Sequence, residues 1–387
     1  MEQLRMGVIG VGGRGVIAAH WHQAKGRAVV VAGADVSKDA LEKFKTGINP
    51  QAFTTQDYRE LLARKDIDAV AVTSPDFRHE EHAVAALEAG KHVFCEKPLA
   101  ITTAGCDRIL AAWKKSGTRL MVGFNMRYMK LYRTMKEIAD SGVLGEIKAV
   151  WVRHFVGEGG NFYFHDWHAT RANTTSLLLQ KGSHDIDMIH WIAGNYTKRV
   201  IGIGGLDYFG GDMPNDLTCP NCDRKSICPD VQPADNRRQQ CCFRKEVDVE
   251  DNNLILMDME GGIKATYLQC HFTPEYQRSY VFIGTRGRME SFDLENKVVV
   301  RTRRSMIPRM RDDCADRTYD VREAEGTHGG ADPVICEDFL DMVIDGKAPI
   351  ATPVAGRMSV AVGCAGAESI RKGGVAVDVP PLPPSLR

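Results

Sequence analysis

The chain has 387 residues, of which 43% are hydrophobic and 26% charged, and its 50 basic residues balance its 50 acidic ones. This composition is typical of a globular protein, and the length favours two domains at about 150 residues each. The zero net charge argues against partners such as nucleic acid or an anionic membrane surface. No apolar run reaches the roughly 18 residues of a membrane span and no signal segment is visible, so we expect a cytoplasmic protein.

Short β-branched runs alternate with helical patterns over residues 1–125. Nearly continuous apolar strands separated by helices predict a doubly wound parallel sheet, so the first domain is α/β. The predicted strands are Arg5–Ile9, Ala28–Ala34, Ala69–Val72, Lys91–Phe94 and Leu120–Val122, and the predicted helices lie near Gly15–Ala24, Lys38–Lys45, Tyr58–Ala63, Phe77–Ala89 and Thr103–Ser116.

The first predicted strand leads into Gly10-Val11-Gly12-Gly13-Arg14-Gly15, which then opens a predicted helix. In this context the glycines favour a dinucleotide site, because they allow a tight turn, close approach of the backbone to a pyrophosphate, and close packing of helix on sheet. The N–H groups at the helix start would face the phosphates, and Arg14 is a further candidate phosphate contact. An ordinary glycine-rich turn is the alternative.

The second predicted strand ends at Asp35, about 20 residues beyond the glycine segment, the spacing at which a ribose-binding acid is expected. A carboxylate there accepts hydrogen bonds from the ribose hydroxyls and repels a 2′-phosphate, which favours NAD over NADP. Lys38 lies close enough in sequence to leave NADP open, and a helix-capping role is the other alternative for Asp35.

Two further strand ends carry polar residues. Thr73-Ser74-Pro75-Asp76 follows the strand 69–72, with His79 one turn further on, and Cys95-Glu96-Lys97-Pro98 follows the next strand. Both segments are expected at the carboxyl edge of the sheet, where ligands bind in doubly wound folds. Lys97 could therefore point at a nicotinamide ring, and an exposed ion pair is the alternative for Glu96 and Lys97.

After residue 125 the strands lengthen and mostly follow one another directly. Gly261-Gly262 and Arg286-Gly287 are hairpin-turn signals, so residues 126–387 are predicted as an α+β domain with a large, mainly antiparallel open sheet. An insertion loop at about 210–244 interrupts it, and the tail returns to helix. The predicted strands are Lys148–Phe155, Arg199–Phe209, Leu254–Met259, Ile263–His271, Ser279–Ile283, Met289–Asp293 and Lys297–Thr302, and the tail helices are Pro333–Ile344 and Ala355–Arg371.

Nearly the whole chain resembles the glucose–fructose oxidoreductase / inositol dehydrogenase / MocA (Gfo/Idh/MocA) family. The segments that carry the resemblance are the glycine segment, Thr73-Ser74-Pro75, Glu96-Lys97-Pro98, Gly123-Phe124-Asn125-Met126-Arg127-Tyr128 and Gly182-Ser183-His184-Asp185-Ile186-Asp187. The resemblance implies an N-terminal Rossmann domain, a C-terminal open sheet whose face borders the active site, a bound nicotinamide dinucleotide, and sugar or cyclitol substrates. It also implies that Lys97 lies in the catalytic pocket, that His184 transfers a proton, and that subunits pair into a homo-oligomer, a dimer or a tetramer.

The chemistry of the residues agrees with these roles. Hydride can leave a secondary alcohol only if the hydroxyl proton is also removed, and histidine, with an ordinary pKa of about 6.5, suits that task. A lysine cation beside the oxygen would stabilise the developing negative charge. Without the family context, helix capping or a buried polar contact would explain His184 equally well.

One position departs from the family pattern. Many relatives carry an aspartate four residues before the histidine, whereas this chain has Gln180 followed by Lys181. Either His184 works without that acid or Lys181 reshapes the site, and the difference marks a possible distinct substrate class.

The segment Asn161-Phe162-Tyr163-Phe164-His165-Asp166-Trp167-His168 is rich in aromatic and polar side chains, which suits the apolar C–H faces and the hydroxyls of a sugar. Ordinary loop packing is the alternative. His328 opens the tail in His328-Gly329-Gly330-Ala331-Asp332 and is a further candidate, while Asp332 is equally well explained as a helix N-cap.

These arguments give the following predicted site. The catalytic residues are Lys97 and His184. The cofactor contacts are Gly10, Gly12, Gly13, Arg14, Gly15, Asp35, Thr73, Ser74, Pro75, His79, Glu96, Lys97 and Asn125. The substrate contacts are Lys97, Arg127, Tyr163, His165, Asp166, Trp167, His168, Lys181, His184 and His328.

Five of the eleven cysteines fall in the insertion loop: Cys219, Cys222, Cys228, Cys241 and Cys242. Their spacing permits a structural zinc site with either Cys241 or Cys242 as the fourth ligand, and a metal would order a loop that has little apolar content. The spacing is not a standard zinc pattern, so reduced thiols and a local disulfide stay open.

Three functions are weighed. The first is an NAD-dependent oxidoreductase acting on a secondary hydroxyl of a sugar, glycoside or cyclitol. The second is a glycoside hydrolase that uses bound NAD transiently for oxidation, elimination and reduction, with Lys181, His165, His168 or His328 as the additional base. The third is a non-catalytic dinucleotide sensor, against which the presence of both Lys97 and His184 argues.

Overall fold

A computed structural model describes residues 3–22, 24–157, 161–292, 295–303 and 315–386 of the chain. The strands are β1 Leu4–Ile9, β2 Ala28–Ala34, β3 Phe53–Thr55, β4 Ala69–Val72, β5 His92–Cys95, β6 Leu120–Val122, β7 Ile147–Val156, β8 Thr197–Gly205, β9 Asn252–Met259, β10 Lys264–Cys270, β11 Tyr276–Gly284, β12 Gly287–Phe292, β13 Lys297–Thr302, β14 Arg317–Asp320 and β15 Val377–Asp378. The helices are α1 Ala18–Trp21, α2 Lys38–Gly47, α3 Tyr58–Leu62, α4 His79–Glu88, α5 Thr103–Ser116, α6 Lys130–Asp140, α7 Arg171–Thr174, α8 Leu177–Gln180, α9 Gly182–Ala193, α10 Ala331–Ile344 and α11 Pro353–Arg371.

The first sheet has six parallel strands in the order β3-β2-β1-β4-β5-β6, which confirms the predicted Rossmann topology. Its central strands are buried on both faces because helices cover both sides, and β4 is buried at every residue. The strand order reverses between β1 and β4, and ligands of such sheets bind at the carboxyl ends of the strands at this point.

The helix predicted after the glycine segment is wrong in its extent. A 3₁₀ turn occupies Gly13–Ile17 and α1 has only four residues. The chain then bends through Lys25 and Gly26, both with positive φ. The phosphate contact predicted for the N–H groups at the start of this helical segment stays a prediction.

The second sheet has nine strands in the order β14-β13-β12-β11-β7-β10-β9-β8-β15. All neighbours are antiparallel except β7 and β10, so the mainly antiparallel prediction is confirmed. Both hairpin signals lie at turns: Gly261 and Gly262 have positive φ between β9 and β10, and Arg286 lies between β11 and β12. Asp293, the last residue of one predicted strand, lies outside the described residues.

The described residues form two compact units that are not contiguous in sequence. The first contains residues 1–132, 323–360 and 381–387, and the second contains residues 133–322 and 361–380. The predicted division put the whole tail in the second domain, whereas α10 lies in the first unit. The reason is packing: the ring of Phe339 on α10 meets Trp21 and Phe94, and the indole N–H of Trp21 donates to the carbonyl of Cys336.

The insertion between β8 and β9 is a loop, as predicted. It contains a 3₁₀ turn over Cys219–Asn221 and two isolated bridges, Met213 with Arg244 and Thr218 with Gln240. None of the helices in the described ranges is long and apolar enough to cross a membrane.

Candidate active site

A cavity of about 520 Å³ opens at the carboxyl ends of β1, β2 and β4 in the first unit. Its walls are formed by the turns after these strands and by the start of α3 and α4. The lining includes Gly10, Asp35, Tyr58, Ser74, Phe77, Arg78 and His82. It therefore lies where the sequence placed the cofactor.

Two glycines hold the segments around this cavity close together. Gly10 has φ +89°, and a Cβ on it would lie 2.5 Å from the amide nitrogen of Ser74. A Cβ on Gly15 would overlap the carbonyl oxygen of Gly10, and the Thr73 hydroxyl donates to that same carbonyl at 2.7 Å. Gly12 and Gly13 complete the turn, with Gly13 at φ +51°. The backbone thus forms a cradle without side chains, which suits the close approach of a pyrophosphate.

Asp35 follows β2 and lines the cavity. Its carboxylate accepts hydrogen bonds from the N–H of Gly12 at 3.2 Å and from the N–H of Ser37 at 2.9 Å. The cap of α2 is the hydroxyl of Ser37, which accepts from the N–H of Ala40. The helix-capping alternative for Asp35 is therefore wrong, and the position agrees with a ribose-binding acid.

Arg14 does not lie free for a phosphate, contrary to the sequence expectation. Its guanidinium forms ion pairs with Glu96 at 2.6 Å and with Asp332 at 2.7 Å. Burial opposes its charge, but the two carboxylates outweigh that effect and raise the pKa of Arg14. Glu96 also accepts a hydrogen bond from the N–H of Lys97. Arg14 and Glu96, both predicted as cofactor contacts, therefore tie the glycine segment to the loop after β5 and to α10.

Asp332 is likewise held by this network rather than by a helix cap. Its carboxylate accepts from Arg14 and from Thr327, and it lies 3.0 Å from Nδ1 of His328. Burial would raise the pKa of Asp332, but these partners lower it. Gly330 is the N-cap of α10 and no side chain caps it, so the N-cap alternative is wrong. His328, predicted as a substrate contact, is placed against Asp332.

His79 joins the two polar loops. Its Nδ1 lies 2.7 Å from the carbonyl oxygen of Pro98 and its Nε2 lies 2.8 Å from the carbonyl oxygen of Ser74, and the ring is buried. These contacts place His79 between the loops after β4 and β5, and the cofactor contact predicted for it stays a prediction.

The remaining predicted residues of the first unit follow strand ends. Lys97 is half-buried in the loop after β5, and its peptide bond to Pro98 is cis. Asn125 and Arg127 are buried in a 3₁₀ turn after β6, and the Arg127 guanidinium donates to the carbonyl of Ile350. Pro75 lines the cavity with Ser74. The roles assigned to these side chains stay predictions.

In the second unit, His184 lies buried in the first turn of α9, and the next residue organises its surroundings. The carboxylate of Asp185 is fully buried and accepts from the hydroxyls of Tyr267 and Tyr280 and from Nε of Arg278 at 3.1 Å. Nδ1 of His154 lies 2.9 Å away and completes the set. These partners come from β7, β10 and β11, so the helix that carries His184 is fixed to the inner face of the sheet.

The charges of this group follow from burial and from Arg278. Burial alone would raise the pKa of Asp185, but the Arg278 cation and the hydrogen bonds lower it, so the carboxylate is ionised. Burial, reinforced by Arg278, lowers the pKa of His154 to about 3. His154 is therefore neutral and donates its Nδ1–H to Asp185.

Lys181 and several predicted substrate residues lie near one another in the second unit. The ammonium of Lys181 is 5.8 Å from the ring centre of Tyr163 and 5.6 Å from that of Tyr276. His168 stacks on Trp167 at 3.6 Å and meets the Tyr163 ring edge-on at 5.2 Å. Cations and polar edges on aromatic faces are the surroundings expected for a sugar-like ligand.

Two residues of the predicted substrate segment are engaged by the insertion loop. The carboxylate of Asp166 accepts from Nε of Arg238 at 2.7 Å. His165 is only 1% exposed, and its Nδ1 lies by the carbonyl of Gln240 and 4.0 Å from Sγ of Cys219. This placement does not support the substrate role predicted for His165.

The cysteines of the insertion loop are free thiols, as are all ten cysteines in the described ranges, so no disulfide is seen there. As they stand, the described His, Cys, Asp and Glu side chains form no group of three or more arranged to hold a metal ion.

Sequence reasoning missed His154, Tyr267, Arg278 and Tyr280, which surround Asp185. Three of them lie at inward-facing positions of alternating strands, where an apolar residue is expected. A polar residue at such a position is the signal that could have revealed them. It also missed His82, whose Nδ1 lies 2.9 Å from the Ser74 hydroxyl and whose ring lies 4.4 Å from that of Tyr58 at the cofactor cavity.

Comparison with known proteins agrees with this geometry. Residues 4–124 match the NAD-binding Rossmann fold of the oxidoreductase family Gfo/Idh/MocA, and residues 136–379 match the C-terminal alpha/beta domain of the same family. The chain belongs to the Gfo/Idh/MocA oxidoreductase family. The family resemblance seen in the sequence is thereby confirmed.

Individual relatives span the chain to different extents. The protein YteT of Bacillus subtilis (strain 168) is 27% identical over 363 residues, which cover 83% of this chain and 84% of YteT. The inositol 2-dehydrogenase/D-chiro-inositol 3-dehydrogenase of Shouchella clausii (strain KSM-K16) is 38% identical over 199 residues, 51% of this chain and 55% of that protein. The alignment with the inositol dehydrogenase therefore spans only about half of its length.

Among solved structures, a levoglucosan dehydrogenase in complex with NADH and levoglucosan has a TM-score of 0.78 and 20% identity. The match covers 98% of this chain and 99% of that one, and it shows a shared fold.

Proposed function

We propose that this oxidoreductase is an NAD-dependent dehydrogenase that transfers hydride between nicotinamide and a secondary hydroxyl of a sugar, glycoside or cyclitol. The observation that carries the proposal is the carboxylate of Asp35 at the rim of a glycine cradle. The cradle suits a pyrophosphate, and the acid favours the ribose diol of NAD over the 2′-phosphate of NADP.

The residues of the first unit fit such a cofactor. A Cβ would fill the space at Gly10 and Gly15, and the adjoining cavity is large enough for a nucleoside. Gly10, Gly12, Asp35 and Ser74 would hold the dinucleotide. When bound, the cofactor supplies the hydride acceptor or donor that no side chain can provide.

The side chains supply the proton chemistry. We assign His184 as the general acid/base that takes the hydroxyl proton during oxidation and returns it during reduction. Lys97 is assigned to stabilise the developing negative charge on the substrate oxygen. Lys181 with its two neighbouring tyrosines, and His168 with Tyr163, support a polyhydroxylated substrate, in line with the inositol dehydrogenase among the relatives.

Lys181 also supports a second candidate, a glycoside hydrolase with transient oxidation. Such a reaction needs a further base to remove the proton next to the oxidised carbon. An amine adjacent to the helix of His184 offers that base, and no aspartate stands at position 180.

A panel of polyols and glycosides separates the two. The purified chain is incubated with each compound and NAD while NADH and released aglycone are followed together. Net NADH supports the dehydrogenase, whereas aglycone without net NADH supports the hydrolase. If no compound yields NADH or aglycone, the dehydrogenase and the hydrolase are both contradicted, and the non-catalytic sensor is the function that remains.

The same panel tests Lys97. We expect Lys97→Ala to reduce turnover by at least about 100-fold, within the range lost when a group that stabilises transition-state charge is removed, while NAD binding stays intact. Lys115→Ala, at an exposed lysine on α5, serves as the matched control. An unchanged rate in Lys97→Ala rules out the role assigned to this lysine.

A further inference from the structure

The cysteine insert, defined as residues 206–251 between β8 and β9, encloses a cavity of about 20 Å³. A space of this size holds one small ion or one water molecule. All five cysteines of the insert line it, together with His165, Lys225 and Val231. Four of these cysteines, Cys219, Cys222, Cys228 and Cys241, are considered as ligands below.

The backbone of the insert holds these thiols around the cavity. The N–H of Cys219 donates to the carbonyl of Gln239 and the N–H of Cys241 donates to that of Leu217, both at 2.8 Å, so two loop segments pair side by side. Tight turns then bring in the other two: Cys222 N–H donates to Cys219, and Cys228 N–H donates to Arg224. Backbone hydrogen bonds thus bring together cysteines that are far apart in sequence.

The structure also distinguishes the adjacent cysteines 241 and 242. Cys242 is buried in a hydrophobic cluster with Phe164, Phe209 and Val247. Cys241 is the member of the pair whose backbone N–H belongs to the paired segment facing Cys219. Cys241 is therefore the better fourth ligand.

A further potential zinc ligand lies beside these thiols, because the buried His165 also lines the cavity.

We propose that Cys219, Cys222, Cys228 and Cys241 bind one structural Zn²⁺ ion as thiolates, releasing their protons to solvent. Four sulfur ligands at about 2.3 Å are the usual closed coordination of structural zinc. The four thiols are not already arranged around a metal ion in the described structure, so binding would draw them together.

The ion would stabilise more than the insert itself. The insert is fixed to residues 161–168: the Arg238 guanidinium lies 3.6 Å above the Phe162 ring and pairs with Asp166, and Arg244 donates to the carbonyls of Phe164 and Asp166. A metal that orders the insert therefore positions this aromatic segment. This second step rests on the proposed substrate role of residues 161–168, whereas the metal site does not.

Metal content tests the site directly. The full chain, purified without chelator, is analysed by inductively coupled plasma mass spectrometry, and we expect about one zinc ion per chain. Cys222→Ser and Cys228→Ser are expected to lose most of it, whereas Cys270→Ser, at a half-buried cysteine on β10, keeps it. Cys228→His, which supplies another zinc ligand, is expected to retain zinc.

A second measurement keeps the test decisive if the serine variants fold poorly. Wild-type chain stripped with chelator is titrated with Co²⁺, whose visible absorption reports tetrahedral thiolate coordination. Wild-type chain that contains no zinc and binds neither Zn²⁺ nor Co²⁺ overturns the site. Iron in place of zinc, or a disulfide within the insert, overturns it as well.

The positioning step has its own readout. In chain that has lost zinc, we expect a severalfold higher KM for the substrate found with the panel, an unchanged Kd for NAD, and faster proteolysis within 206–251. Zinc loss with unchanged KM contradicts the positioning step and leaves the metal site standing. If the panel yields no substrate, only the KM measurement is lost, because zinc content and proteolysis need no substrate.

Discussion

Asp35 illustrates how one side chain can hold two backbone segments and still line a cavity. Its carboxylate binds two N–H groups from different segments, which fixes its position at the cavity. A fixed carboxylate loses little freedom when it meets a ribose, so its contribution to NAD affinity is expected to be large for a single residue.

We expect Asp35→Ala to weaken NAD binding by about 10- to 100-fold, since a hydrogen bond to a charged group contributes about 1.5–3 kcal/mol. The same change should narrow the preference for NAD over NADP, because the repulsion of a 2′-phosphate is removed. Isothermal titration with both cofactors measures the effect. Lys38→Ala is the control, and a larger loss there than in Asp35→Ala contradicts the assignment.

His154 gives the second unit a predictable response to acid. Its pKa is lowered by burial to about 3 in the folded state, against about 6.5 in the unfolded chain. Between these values the unfolded state binds a proton that the folded state does not, so the free energy of unfolding falls as the pH drops from about 6.5 towards 3. One such group changes it by at most about 1.4 kcal/mol per pH unit.

Chemical denaturation from pH 7.5 to 4.5 checks this expectation in wild-type chain and in His154→Gln. Glutamine can still donate to Asp185 but has no proton to gain, so the variant should show a shallower loss of stability over this range. Asp185 itself does not confuse the result, because its lowered pKa makes its contribution disappear only below about pH 4. Equal slopes in the two chains would show that His154 does not carry the effect.

At the scale of elements, the turn after β1 depends on the absence of a side chain. At Gly10 a Cβ meets both a positive φ and the backbone of Ser74, whereas at Gly117, the C-cap of α5, it meets a positive φ alone with open space around it. Alanine substitutions at Gly10 and at Gly117 therefore separate the effect of backbone strain from that of overlap between chain segments.

We expect Gly117→Ala to cost about 1 kcal/mol of unfolding free energy and to leave NAD binding unchanged. Gly10→Ala should cost at least about 2–3 kcal/mol and abolish NAD binding, because the segments after β1 and β4 must move apart. Thermal melting with and without NAD measures both. Normal NAD binding in Gly10→Ala is the result that this account does not allow.

The elements most predictable from sequence were those with a strong burial pattern. The central strands β1, β2 and β4 are apolar nearly throughout because both faces are covered, and the alternating strands of the second sheet show one buried face. β3 has only three residues, too few for a period to appear. The extent of α1 was predicted wrongly because 3₁₀ and α-helical turns share the same local residue preferences.

Contacts between residues that are distant in sequence are the part of the site that could not be predicted. The glycines and Asp35 were predicted because local backbone geometry demands them at a fixed spacing. Arg14 was assigned to phosphate because nothing local reveals that Asp332, far along the chain, supplies its partner. Asp185 was passed over for the same reason, since its partners come from three strands distant in sequence.

For the whole molecule, the outer face of the second sheet exposes several large apolar side chains. Trp151, Leu256 and Ile201 lie in one row across β7, β9 and β8, with Thr266 of β10 between Trp151 and Leu256, and Trp151 is 54% and Leu256 47% exposed. Exposed apolar side chains grouped on one face of a sheet favour pairing with another apolar surface. We therefore propose that copies of the chain associate through this face, as the family resemblance implies.

Trp151→Glu together with Leu256→Glu should reduce the oligomer to monomers, because each charge would have to be buried without a partner in the interface. Sedimentation velocity at several concentrations measures the state. Val334→Glu, at an exposed apolar residue on α10 in the other unit, is the control. A monomeric wild-type chain, or a double variant that stays associated, contradicts this use of the face.

The cysteine insert leaves and re-enters the second sheet at Gly205 and Asn252, which stand opposite each other in β8 and β9. Both of its ends are thus anchored at one point of a hairpin, so a longer or shorter loop can be accommodated without shifting the strand register. The entropy of closing such a loop grows only logarithmically, by about 0.6 kcal/mol for each doubling of length. A different loop could therefore be joined at this hairpin end. It would make its own contacts with residues 161–168, while both sheets kept their present pairing.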